Sequence, residues 1–472
     1  MYLKAVVGII AAYAFYFIVS GVYKVINPED SPLPILPEDV WWGARSRDQV
    51  PNDGIRPFTI TTSDQGLANL RGRLENTRFP TAPFKDANFH YGFNIDYLKN
   101  VTSYWLNNYN WKSRLQFLNK FPHFKTTVSG LDIHFIHVKP KVGSRKSLKV
   151  VPILLLHGWP GSVREMYDLI PLLTTPRENQ DFVFEIVAPS LPGYGYSEGA
   201  AHPGMGPAQI GVIFKKLMQK LRHEKFYIHG EDWGSMIAKE MSVLYPQHVL
   251  GLHSTMCSTS NPLDRFLKVL GSLWPRLVID KEHEHRMYPL SDSLKFLWLE
   301  FGYFHLQATK PDTIGMALLD TPVGLAAYIL EKYSVGTNPA FRDLPDGGLT
   351  KKYSLDALLD NVMIYWTTES ILTSVRLYSE YSSAAYYSLG LDRARVKVPT
   401  ACTQFPHEIT YYTPEMLRRK FTKLVKISEF DDGGHFAAFE NPNLVADDLW
   451  ASIPLFVKAH KEDQPVKSCS RS

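Results

Sequence analysis

Apolar residues follow two rhythms along this chain, and the switch between them outlines its organisation. Strand-length apolar runs occur at residues 150–156, 225–229 and 396–405, and a further strand-like stretch occupies 423–430. Runs of this kind suit strands buried on both faces, as in a parallel sheet flanked by helices. Residues 261–395 instead show helical spacing, as in Leu294, Leu297, Trp298 and Phe301, and are rich in aromatics, leucine and methionine. The pattern predicts an α/β unit whose mostly parallel sheet begins near Val150, pauses after about Ser258 for a helical insertion and resumes near Val396. A helix over 443–460 closes it. The insertion is placed to act as a lid, packing its own apolar core and lining a cleft beneath.

The flanks read differently. Residues 5–23 carry no charge and are bracketed by Lys4 and Lys24. As a helix they span roughly 28 Å, enough to cross a bilayer core. A cleaved signal peptide is the rival, but its apolar region usually runs ~7–15 residues to a small-residue cleavage site, and none is evident. The organisation expected is therefore an anchor over 1–26, a linker over 27–49 and an N-terminal segment over 50–148. The core follows over 149–260, the lid over 261–395, the second core part over 396–462 and a polar tail over 463–472. Repeats and low-complexity tracts are absent from the sequence.

Chemistry enters where the runs end. Residues 225–235 read strand, tight turn, helix beginning near Ser235, with Asp232 at the apex between Gly230 and Gly234. That is the form of the strained nucleophile elbow of α/β-hydrolases, where serine is the more familiar occupant. An aspartate is already ionised near neutral pH, so it can attack an electrophilic carbon unaided and form an ester. An ordinary Asp-Trp-Gly turn is the bland alternative. The run at 150–156 leads into His157-Gly-Trp-Pro-Gly-Ser162, the place of the loop that gives one oxyanion-hole amide, the residue after the nucleophile giving the other. Those amides belong to Trp159 and Trp233. His435, after a glycine pair and last in chain order, is the candidate base. Glu408 is a better orienting acid than Asp431 or Asp432, which share the loop of His435 itself.

Composition narrows the classes. A net charge of +4 on 472 residues gives no argument for nucleic-acid binding. Cys257, Cys402 and Cys469 are too few and scattered for a disulfide framework or zinc cluster, which favours a reducing compartment. The sequence holds neither a nucleotide-binding glycine loop nor a metal-ligand motif, and aspartyl-ester chemistry needs no cofactor.

Longer motifs are more specific. They include Trp41-Trp-Gly43, the loop at 157–162, Leu191-Pro-Gly-Tyr-Gly-Tyr-Ser197, residues 302–312, Tyr365-Trp-Thr-Thr368 and Gly433-Gly-His-Phe-Ala-Ala-Phe-Glu440. Together they resemble the microsomal epoxide hydrolase family over nearly the whole chain. The phrases at 197–209 and 441–448 look closest to its insect branch, the juvenile hormone epoxide hydrolases. The resemblance implies an α/β-hydrolase fold with an N-terminal segment wrapping the catalytic part, and hydrolysis of lipophilic epoxides to vicinal diols. It assigns Asp232 as nucleophile, Glu408 as the group orienting His435, and Tyr303 and Tyr378 as donors to the epoxide oxygen. It also implies the endoplasmic reticulum membrane, with the catalytic part facing the cytosol and the Asn100-Val-Thr102 glycosylation pattern unused. Substrate, water and membrane lipid are the partners expected, with neither metal nor cofactor. Glu231 departs from the glycine expected there, and pointing inward it would raise the pKa of Asp232. Two alternatives remain: a haloalkane-dehalogenase-type enzyme, which needs halide-binding groups in place of the tyrosines, and a non-catalytic lipid-binding protein on the same fold.

Overall fold

The computed structural model describes residues 32–49, 53–143, 145 and 147–462. Strand β1 (Arg56–Phe58) precedes helices α1 (Asp64–Glu75), α2 (Ile95–Asn107) and α3 (Trp111–Leu118). A hairpin follows, β2 (His123–Val128) and β3 (Leu131–Val138), then β4 (Lys149–Leu156), α4 (Leu169–Thr174), β5 (Phe182–Pro189), α5 (Pro207–Lys220), β6 (Phe226–Gly230), α6 (Asp232–Leu244) and β7 (Val249–Ser254). The insertion contains α7 (Pro262–Gly271), α8 (Leu290–Glu300), α9 (Gly302–Thr309), α10 (Pro311–Leu319), α11 (Pro322–Thr337), α12 (Leu355–Thr368), α13 (Ile371–Tyr381) and α14 (Ala384–Tyr387). The chain closes with β8 (Thr400–Gln404), α15 (Pro414–Lys420), β9 (Leu424–Glu429), α16 (Ala437–Glu440) and α17 (Pro442–Glu462).

The nine strands among the described residues form one sheet in the order β1-β2-β3-β5-β4-β6-β7-β8-β9. From β5 through β9 neighbours are parallel, and β1 to β3 join antiparallel. The central strands are sealed: β5 and β6 are buried along their whole length. The chain runs from β4 to β5 on one side and from β6 to β7 on the other, so the loops after β4 and β6 part in opposite directions at the carboxyl ends of two neighbouring strands, the place of the crevice in open α/β sheets. The turn after β6, which carries Asp232, and the loop after β4 both emerge there.

Four expectations change. The sheet starts well before Val150, because residues 123–138 form a hairpin turned at Ser129 and Gly130, both at positive φ. Those strands mix His, Lys and Thr with apolar residues, which hid them from a search for apolar runs. The helix after the elbow begins at Asp232 itself. Leu294, Leu297 and Trp298 are exposed, so the apolar stripe of α8 neither fills a core nor lines the cleft. Cys257 and Cys402 form a disulfide. They lie 145 residues apart in sequence but close together where β7 pairs with β8, Ser254 opposite Cys402. Sequence spacing could not reveal that. The polar tail and the candidate anchor lie outside the described residues, and no helix among those described is long and apolar enough to cross a membrane.

The N-terminal segment is fastened to the insertion by polar contacts. Asp360 of α12, fully buried, accepts from Arg114 of α3 (2.8 and 2.5 Å), from Arg164 Nε (3.1 Å) and from the Tyr109 hydroxyl (3.0 Å). One carboxylate thus ties together the N-terminal segment, the loop after β4 and the lid.

Candidate active site

The turn from β6 into α6 is sterically demanding. Asp232 sits at φ +46°, the left-handed region that side chains other than glycine rarely occupy. Its neighbours must be glycine: a Cβ at 230 would fall 2.4 Å from the Gly234 carbonyl oxygen, and one at 234 would fall 2.2 Å from the Leu156 oxygen. The strain lifts the carboxylate out of the helix and aims it at the loop after β4. There the Trp159 amide donates to Asp232 Oδ1 at 2.8 Å. Gly158 makes that approach possible, since a Cβ there would meet the same oxygen at 2.1 Å.

The loop is braced from two sides. His157, buried and pulled down to about 4 mainly by that burial, accepts from the Leu191 amide through Nε2. From the lid, Asn361 Nδ2 donates to the Pro160 carbonyl and the Tyr365 hydroxyl to that of Gly161, each at 2.7 Å.

Opposite Asp232 stands His435. Its Nε2 lies 3.3 Å from Asp232 Oδ2, and Nδ1 is 2.7 Å from Glu408 Oε1. Glu408 is fixed in turn by the Ile409 amide. The lid completes the site with aromatic rings. Tyr303 of α9 stacks on Trp159 at 5.4 Å, and Tyr378 of α13 meets Trp159 at 5.7 Å and Trp233 at 4.8 Å, edge to face. The two tyrosine rings are 6.1 Å apart. The other six residues named from sequence therefore gather around the Asp232 carboxylate, Glu408 through His435.

A family model described as "Epoxide hydrolase N terminus" matches residues 55–166, and one described as "alpha/beta hydrolase fold" matches residues 151–297. The chain is 47% identical to juvenile hormone epoxide hydrolase 1 of Ctenocephalides felis over 91% of each chain. It is 43% identical to epoxide hydrolase 1 of Sus scrofa, over 95% of this chain and 98% of that one. The crystal structure of juvenile hormone epoxide hydrolase from the silkworm Bombyx mori superposes with a TM-score of 0.87 at 45% identity, covering 90% of this chain and 100% of that one. This chain belongs to the epoxide hydrolase family. Its reaction is the hydrolysis of an epoxide to a diol.

In this epoxide hydrolase the site's electrostatics follow from burial among carboxylates. Burial alone would lower the pKa of His435, but the charge of Glu408 and hydrogen bonds to Asp232 and Glu408 outweigh it and hold the ring well above its ordinary value. Burial, then the nearby Asp232 charge, raises Tyr303. Tyr378 is raised by burial, then by Tyr303 and Asp232. Both phenols stay protonated and can donate.

Three acids were not singled out as site residues. Glu440 accepts from the amides of Gly434 and Phe436, each at 2.8 Å, bracketing His435. Glu231 accepts from the Ala438 amide at 2.9 Å, so it is engaged by the histidine loop rather than left free beside the nucleophile. Burial pushes both up to about 8. Glu165, buried beneath the loop after β4, accepts from the Tyr333 hydroxyl and is likewise raised by burial. Glu440 stands in a motif already visible in sequence, but its bond to backbone amides has no sequence signature. A cavity of about 520 Å³ lies beside α13, lined by Pro192, Met205, Thr373, Arg376 and Leu377 among others. Neither Asp232 nor His435 lines it, so it neighbours the catalytic cleft without being it.

Proposed function

We propose that Asp232 Oδ2 attacks a ring carbon of a lipophilic epoxide while Tyr303 and Tyr378 hydrogen-bond the epoxide oxygen. The C–O bond breaks, the new alkoxide takes a proton from a phenol, and an ester joins substrate to enzyme. Ester formation removes the Asp232 charge, one of the influences that keep His435 protonated, so the ring releases its proton, which returns through solvent to the phenolate. The neutral ring, oriented by Glu408, then takes a proton from water, and hydroxide adds to the ester carbonyl carbon. Negative charge develops on Oδ1, which the Trp159 amide meets, with the Trp233 amide assigned as the second donor. Collapse breaks the bond from the carbonyl carbon to the substrate-bound oxygen; the departing alkoxide takes the proton held by His435 to give the diol, and the Asp232 carboxyl returns a proton to the histidine as it becomes a carboxylate again. The observation that carries this reading is the double engagement of Asp232: Oδ1 on the Trp159 amide, Oδ2 facing His435.

For the substrate, a juvenile hormone is the reading supported by relatives of that name in flea, silkworm and Manduca sexta at 45–47% identity. The uncharged stretch at 5–23 supports attachment to a membrane, with the endoplasmic reticulum implied by the resemblance. The Cys257–Cys402 bond weighs against the cytosolic side, since disulfides persist in oxidising compartments.

Trapping tests the mechanism. The protein is mixed briefly with a juvenile hormone, quenched in acid and mapped by mass spectrometry. An adduct of substrate mass on the Asp232 peptide, absent from Asp232→Ala, is expected. Failure to find it with any of several epoxides, together with halide release from a haloalkane, would move the chain to the dehalogenase reading.

A further inference from the structure

Helices α7 and α8 turn apolar residues to solvent. On α7, Phe266 and Val269 recur one turn apart, and Leu273, Trp274 and Leu277 extend the stripe past its end. On α8, Leu294, Leu297 and Trp298 share a face, with Leu299 beside them. Leu273 is 70% exposed and Trp298 86%.

These are not core positions short of a partner, because both helices already bury another face. Leu267 of α7 and Leu290 of α8 pack on one small core of Ile279, Met287, Tyr288, Tyr411 and Met416. Asp264 is buried in an ion pair with Arg419 (2.6 Å), and the Tyr288 hydroxyl donates to the Lys268 carbonyl. The two stripes therefore flank a finished core and face outward.

Apolar exposure on two helices that share one small core marks a membrane or protein partner. Two observations favour a bilayer. The patch joins tryptophan, phenylalanine and leucine with the exposed cations Arg265 and Lys295, the composition of surfaces that lie at a lipid interface. Only residues 24–31 separate the uncharged stretch from the first described residue, a reach of roughly 27 Å when extended. A chain attached through residues 5–23 is thus held close to the bilayer.

The patch also leads to the site. Phe296 of α8 contacts Phe301 (6.2 Å between centroids), and Phe301 contacts Tyr303 (5.8 Å). We propose that α7 and α8 form a docking surface seated in the adjoining lipid leaflet, and that lipophilic epoxide passes from the bilayer along these aromatic rings to Asp232. The second clause rests on the epoxide chemistry already assigned, and the tether argument on the proposed membrane attachment.

The test uses the full chain carrying Cys469→Ser, reconstituted in phosphatidylcholine vesicles, with nitroxide labels at Leu273→Cys, Trp298→Cys and, as a control, the exposed Tyr91→Cys. Power-saturation EPR is expected to find the first two labels accessible to oxygen and shielded from a water-soluble nickel chelate, and the control reversed. Water-like labels at 273 and 298 overturn the proposal, and so does intermolecular dipolar broadening there, which would assign the face to a second copy. A label at Ala14→Cys reports attachment separately, so a failed anchor and a failed docking face give different patterns. Trp298→Asp combined with Leu273→Asp is expected to raise KM about fivefold for an epoxide dissolved in vesicles while leaving KM for a small water-soluble epoxide unchanged. Equal KM values in the first case overturn the entry route.

Discussion

Asp232 shows how one residue's conformation and chemistry are linked. Its positive φ exists only because glycines stand at 230 and 234, and its oxygen meets the Trp159 amide only because position 158 has no side chain. Gly158→Ala is therefore expected to cost roughly a hundredfold in kcat/KM, the scale of an ångström misplacement at a reacting centre. Thermal unfolding will show whether the fold survives. A single turnover in ¹⁸O-water is expected to leave the label on Asp232 rather than in the first diol, because water attacks the ester carbonyl. Label in that diol would mean direct attack of water on the epoxide. His435 carries the corresponding pH argument. Its protonated form is favoured partly by the Asp232 charge, so Asp232→Asn should move the histidine titration, followed by NMR, to lower pH. These residues were legible in sequence because their roles depend on type and on order along the chain. The roles of Glu231 and Glu440 were not, because each depends on backbone amides presented only by the folded histidine loop.

Elements built on apolar runs were equally legible, and those built on mixed patterns were not. Strands β4, β6 and β8 appear as uninterrupted hydrophobic stretches, whereas β2 alternates His, Lys and Thr with apolar residues and joins the sheet through its hairpin. Helix α8 looked like a core helix by its spacing, yet the stripe has solvent opposite it. Periodicity shows that a face exists and not what covers it. At this scale the histidine loop is held by a buried acid. The pKa of Glu440 rises from 4.5 to about 8 on folding, so its contribution is fully present below about pH 4.5 and is lost as pH climbs through 8. Glu440→Gln should flatten the fall of Tm between those limits, since its amide does not ionise; an unchanged slope would remove Glu440 from the cause. The junction at Asp360 predicts a larger effect. Asp360→Ala leaves the buried Arg164 with only its ion pair to the half-exposed Asp168 (3.3 Å) and is expected to lower stability by about 3 kcal/mol in denaturant titrations.

Across the whole molecule, the lid is a loop between two neighbouring strands, leaving the sheet after β7 and returning at β8. Cys257 and Cys402 stand at those two ends, so their bond closes the lid into a covalent ring. Closing a loop of this length removes unfolded-state entropy worth about 5 kcal/mol in the chain-entropy model, less any strain. The bond also joins parts of the chain that hold different members of the proposed site: Asp232 precedes it, Tyr303 and Tyr378 lie within the ring, and Glu408 and His435 follow it. Alkylation before reduction is therefore expected to yield a linked peptide pair containing Cys257 and Cys402, and Cys402→Ser should unfold at lower temperature than the parent protein. The sequence argued from scarcity that the cysteines were free, and scarcity was the wrong measure. Two cysteines suffice when the topology sets them side by side. Finding both alkylated in protein taken directly from its native membrane would place the catalytic part in a reducing compartment and restore the cytosolic orientation. Finding them linked there would place it on the oxidising side, where the exposed Asn100 becomes open to glycosylation.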